Sequence, residues 1–92
     1  METHQSKFSL GQTFITVGAR DSLDAEDILI ALRKHVSGNW GDCKADDRAA
    51  NDQSVLDGSR IFSVYHDRFG AKFWIITEAD RSATTILLPS EY

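Results

Sequence analysis

Ninety-two residues, 41% of them hydrophobic and 26% charged, make one globular domain and no more. A net charge of -4 leaves no bulk basic field to hold DNA, RNA or an anionic membrane, and the single cysteine, Cys43, excludes an intramolecular disulfide and a multi-thiolate zinc site. No run approaches the roughly 18 apolar residues of a membrane span, so a cytoplasmic, membrane-free chain is expected, with a protein as partner; a nucleic-acid role is not favoured by the net charge and would need a local cationic patch. A domain of this size buries only about 60–65% of its unfolded surface, which leaves room for a homodimer.

Residues 1–7 are polar and without period, which predicts a flexible tail ahead of a single domain over 8–92. The β-branched and aromatic stretch from Phe8 to Val17 reads as a first strand, with Gly11 marking a turn or bulge. A helix is expected at 25–37: Asp24 can cap its first amides, and Glu26 and Asp27 favour its positive end. Leu23 and Ile28 stand at staple positions. Ile28, Leu29, Leu32 and Val36 build one apolar face, and Gly38 stops the helix.

A polar loop around Trp40 follows. The stretch 45–57 reads as a weakly amphipathic second helix ending at Gly58. Five acids against two bases between Asp42 and Asp57 give it an acidic face. Strands are expected at 60–66, 71–77 and 83–88, joined by turns at 67–70 and 79–82. In the middle strand Phe73 and Ile75 alternate with Trp74 and Ile76, so both faces are apolar. The prediction is an α+β fold of β-α-α-β-β-β order. Its sheet is mostly antiparallel, of three or four strands, with helices packed on one face.

No nucleotide, hydrolase or thiol-redox motif is present, and no cofactor or metal site is expected. His35 and His66 are the residues for proton transfer near neutral pH. With Arg60, Tyr65, Lys72, Glu78, Asp80, Arg81, Thr84 and Thr85 they make up the groups of a small metal-independent ribonuclease, which needs a base, an acid and a cation for phosphorane charge. The ordinary structural reading weighs more. His35 suits the negative end of a helix, Asp80 and Arg81 suit a hairpin turn, and threonine suits a strand. Trp40 is either a lid folded onto the core or an anchor for a partner.

Three blocks, His35-Val-Ser-Gly-Asn-Trp-Gly-Asp42, Asp46-Asp-Arg-Ala-Ala-Asn-Asp52 and Trp74-Ile-Ile-Thr-Glu-Ala-Asp-Arg-Ser82 with the following Thr84 to Tyr92, resemble a group of small bacterial proteins carried on plasmids, integrative elements and phages. The resemblance covers residues 23–92 and implies a cytoplasmic accessory protein of mobile DNA. It brings no activity with it. Its motif positions are rich in polar groups, which points to a shared polar site or a buried hydrogen-bond network. The expected function is binding of a host or element macromolecule, for instance a defence or restriction component, through Trp40, Asp42, Asp47, Arg48, Asp52, Asp80 and Thr84. The alternatives are a ribonuclease or toxin using His35, Glu78 and Arg81, and a small-ligand sensor with the Trp40 loop as lid.

Overall fold

The computed structural model describes residues 6–92. Chain order is β1 (Gln12–Ile15), α1 (Val17–Ser22), α2 (Ala25–Val36), α3 (Ala45–Asp57), β2 (Ile61–His66), β3 (Lys72–Thr77), β4 (Ala83–Leu87) and a closing 3-10 turn, Pro89–Glu91. The sheet runs β1-β4-β3-β2, antiparallel from β4 to β2, while β1 lies parallel to β4. The fold is α+β as the sequence predicts, but the sheet is mixed and α1 is an added helix. Most of the expected tail lies outside the described residues. Lys7 donates its amide to the Val36 carbonyl at 2.8 Å.

The punctuation of α2 works as its residues dictate. Asp24 accepts from the amides of Glu26 and Asp27 at 3.0 and 3.2 Å, and Leu23 and Ile28 are both buried beside this cap. At the other end Gly38, with φ +87°, lets the Asn39 amide reach back to the Lys34 carbonyl at 2.8 Å and stop the helix. The face that meets the sheet differs from the expected one. Ile28, Ala31 and His35 are buried, whereas Leu29 is 59% exposed. The small Ala31 lets the helix axis approach the strands, and the buried line then follows steps of three and four from Ile28 to His35.

Inward residues of the sheet are Ile61, Ser63 and Tyr65 of β2, Phe73, Ile75 and Thr77 of β3, and Thr84 and Ile86 of β4. Against them pack Ala19 of α1 and Leu23, Ile28 and Ala31 of the α2 region. Phe62, Trp74, Ile76 and Leu87 point to the opposite face, where Phe62 and Trp74 rings meet at 4.8 Å and Tyr92 abuts Trp74 edge-on at 5.6 Å. The closing turn thus shields part of this second apolar face.

Helix α3 does not join that layer; it runs beside the outer edge of β2. Asn51 donates to the Phe62 carbonyl at 2.6 Å and accepts from the Phe62 amide at 3.1 Å, taking the place of a neighbouring strand. The loop before α3 continues the closure: the Val64 amide donates to Trp40 and the Val64 carbonyl accepts from Asp42 at 2.7 Å. Gly41, with φ +71°, sits so close that a β-carbon would stand 2.0 Å from the Val64 carbonyl oxygen. Only glycine allows that approach.

Candidate functional site

The polar blocks of the sequence meet at one place, between the end of α2 and the inner face of the sheet. His35 is fully buried. Its Nδ1 faces the Ser63 hydroxyl, its Nε2 lies 2.8 Å from Thr77 Oγ1, Thr77 lies 2.7 Å from Thr84 Oγ1, and Thr84 reaches the Leu10 carbonyl at 2.7 Å. A carbonyl can only accept, so the direction of the chain is fixed from its far end. Thr84 donates to Leu10, Thr77 donates to Thr84, His35 donates through Nε2 to Thr77, and Ser63 donates to Nδ1. The imidazole in this arrangement is neutral.

Burial pushes the His35 pKa down to about 3, with the Arg81 charge as the second cause. Adding a proton at Nδ1 would force the Ser63 hydroxyl to turn to the Ile75 carbonyl, which lies at a poor 3.5 Å. Aromatic rings seal the group. Phe8 stands edge-on to it at 5.3 Å, Trp40 at 5.9 Å, and Phe8 stacks on Trp40 at 6.2 Å. This is more than the helix-end role that the sequence offers for His35.

Arg81 also meets Phe8, its guanidinium 5.5 Å from the ring centroid. It donates to the carbonyls of Ser59 at 2.7 Å, Ser54 at 2.9 Å, Glu78 at 3.2 Å and Ala79 at 3.3 Å. The last turn of α3 holds no basic residue, so this side chain provides the cation that the negative helix end favours. Its backbone sits at φ +61°, the left-handed residue of the β3–β4 turn, where its amide donates to Glu78 at 2.9 Å.

The structure therefore brings His35 and Arg81 together around Phe8, but Glu78 joins only through its main chain and its carboxylate is exposed. Thr84 is buried within the hydrogen-bond chain. Trp40 is only 3% exposed and donates its indole N–H to Asp52 at 2.8 Å. It packs with Cys43, Ile61 and Val64 beside β2. Arg48 donates to the Cys43 carbonyl at 2.7 Å, and burial raises the Cys43 thiol pKa. Asp80 accepts from the Ser82 amide at 2.9 Å, and its bonds to Ser82 hold the carboxyl below its usual range. Asp42 pairs with His66 at 2.7 Å on the surface, and Asp47 is exposed on the first turn of α3.

Among the described residues, every buried side-chain nitrogen and oxygen has a hydrogen-bond partner. Sequence reasoning missed Ser63, Thr77 and Asp67. The first two are polar residues on the inward phase of strands, which is the signal that marks them. Asp67 is buried and accepts from the amides of Phe69 and Ala71 at 2.9 Å and of Asp24 at 3.2 Å, tying the β2–β3 turn to the start of α2.

Two surface features stand apart from this sealed cluster. A cleft of about 240 Å³ beside α2 is lined by Lys34, Tyr65, His66 and Arg68 among others. Arg68 is engaged there by Asp24, Glu26 and Asp27, whose carboxylates raise its pKa. The second feature is β1, exposed along all four of its residues. Phe14 is 50%, Ile15 46% and Val17 64% exposed. Among the described residues no helix is long and apolar enough to cross a membrane, and no three His, Cys, Asp or Glu side chains cluster to hold a metal. The chain matches no family model, no curated protein and no solved structure.

Proposed function

We propose that this chain is a small cytoplasmic accessory protein of a mobile element that acts by binding another protein, and that β1 is the strand it offers. The observation that carries this reading is the exposure of β1 next to a polar cluster already consumed by internal bonds. Gln12 and Thr16 turn their amides to the carbonyls of Ser82 and Ile86, each at 3.0 Å. A parallel ladder alternates, so the amides and carbonyls of Thr13 and Ile15 face outward and unpaired by β4. Residues Gly11 to Val17 hold no charge and no proline, the devices that commonly protect an edge strand. Such an edge accepts an extended segment through main-chain bonds, with side-chain contacts giving selectivity.

Tagged and untagged copies expressed together in a bacterial host test the reading. The tagged chain should retain a protein on β1, either its own untagged copy or a host protein, and Ile15→Lys should reduce that retention at least tenfold. Equal retention by the parent and the variant would remove β1 as the binding element.

The cleft beside α2 supports a second reading, a ribonuclease. Asp42 holds His66 Nδ1 at 2.7 Å, which leaves Nε2 for the role of base, and Lys34 lines the same cleft as a cation. RNA incubated with the pure protein should be cleaved, and His66→Ala should abolish cleavage while leaving the unfolding midpoint in place. Intact RNA with the parent protein would end this reading.

A further inference from the structure

We infer that the strand β1 receives is β1 of a second copy, and that the chain is a twofold dimer with one continuous eight-stranded sheet. This rests on the proposed role of β1 as a strand-accepting edge and names its occupant. The geometry of the edge carries the inference. In an antiparallel pair, residues whose main chains face each other exchange both hydrogen bonds, and the residues between them form non-bonded pairs with closer side chains. Thr13 and Ile15 face outward, so the register that uses both of them in both copies pairs Thr13 with the second copy's Ile15 and Ile15 with its Thr13. Phe14 then lies on the twofold axis opposite itself. That is an aromatic cross-strand pair at the position where side chains approach most closely.

Two further observations favour a second copy over an unrelated strand. Each chain carries a net charge of -4, yet Gly11 to Val17 is uncharged, so the copies meet where like charges do not oppose one another. Among the described residues the sheet also has one open side. The edge of β2 is already closed by Asn51 and by the Trp40 to Asp42 loop, so self-pairing through β1 stops at two copies instead of growing into a fibre. The exposed Phe14 and Ile15, on opposite faces of β1, both lie along the joint, and their burial supplies the apolar contact.

Sedimentation and disulfide trapping test this together. The parent protein should sediment with twice the mass of one chain in the micromolar range, and Ile15→Lys should weaken dimerisation at least tenfold while keeping the parent's circular dichroism. In a Cys43→Ser background, Phe14→Cys should form an intermolecular disulfide on mild oxidation, because non-bonded pairs place their α-carbons about 4.5 Å apart, within disulfide range. Thr13→Cys should not, since Thr13 faces Ile15. A monomeric parent, or a dimer indifferent to Ile15→Lys and trapped equally well at positions 13 and 14, would overturn the inference. A monomer that still retains a host protein through β1 would overturn self-pairing and leave the strand-accepting reading intact. A monomer that retains nothing would remove both.

Discussion

Trp40→Ala should lower the stability of the domain by about 3–5 kcal/mol, the loss that follows deletion of a buried aromatic. A chain of this length has roughly 5–14 kcal/mol in total, so the variant should unfold at much lower urea and lose a large part of its margin. The loss has two sources. The indole fills the space between Phe8, His35 and the β2 side chains, and its N–H is the partner of Asp52. Trp74 also emits, so the fluorescence comparison belongs in a Trp74→Phe background. There, Trp40 should be blue-shifted and poorly quenched. A stability change below about 0.5 kcal/mol, the range of surface substitutions, would show that the loop is not part of the core.

Acid should weaken the fold well before the carboxylates titrate. The His35 pKa is lowered to about 3 in the native state, against about 6.5 in the unfolded chain. Between those values the unfolded state takes up a proton that the native state refuses, so stability falls as pH falls and is fully present above about pH 6.5. The slope approaches about 1.4 kcal/mol per pH unit below pH 6, giving a loss of about 2 kcal/mol between pH 6.5 and 4.5. Asp27, Asp57, Asp67, Asp80 and Glu91 have lowered pKa values of their own, and that stability disappears at lower pH, as they protonate. Urea unfolding at pH 7.5 and pH 4.5 measures the histidine's share by comparison with His35→Gln. The amide can donate to Thr77 and accept from Ser63 without titrating. Equal pH slopes in parent and variant would show that His35 is not the group responsible.

Local signals in the chain announce some parts of this fold and not others. The start of α2 is written in adjacent residues, from Leu23 to Ile28, and the β2–β3–β4 meander in alternation and turns, so both are legible. Helix α1 is not. Its six residues include Gly18 and Ser22 and show no apolar stripe. Its first amides are held by Thr16 and by Glu91, which accepts from Gly18 at 3.0 Å from the far end of the chain. The parallel partnership of β1 with β4 is likewise decided at long range. At the polar cluster the sequence marks the members but not their roles. Spacing places His35 on the same side of α2 as Ile28 and Ala31, yet only the inward phase of Ser63 and Thr77 turns it from a helix-end charge into a neutral core residue. Arg81 reads as a turn residue and is one, while its guanidinium also reaches the end of α3. No nearby residue foretells that second contact.

The partnership of β1 with β4 also sets the order in which the domain can be completed. Gln12 to Ile15 are made well before their ladder partners, Ala83 to Ile86, which lie far along the chain. Pairing so distant in sequence is slow and must wait for the antiparallel meander that presents β4. Until then Phe14, Ile15 and Val17 travel as an uncharged apolar segment with no neighbour. The Leu10 carbonyl, which ends the hydrogen-bond chain from His35, is likewise out of reach of Thr84. Docking of β1 therefore depends on prior formation of β4, and it supplies the acceptor that fixes the proton order inside the core. A nascent chain held at that step is the form most exposed to chaperones, proteases and aggregation.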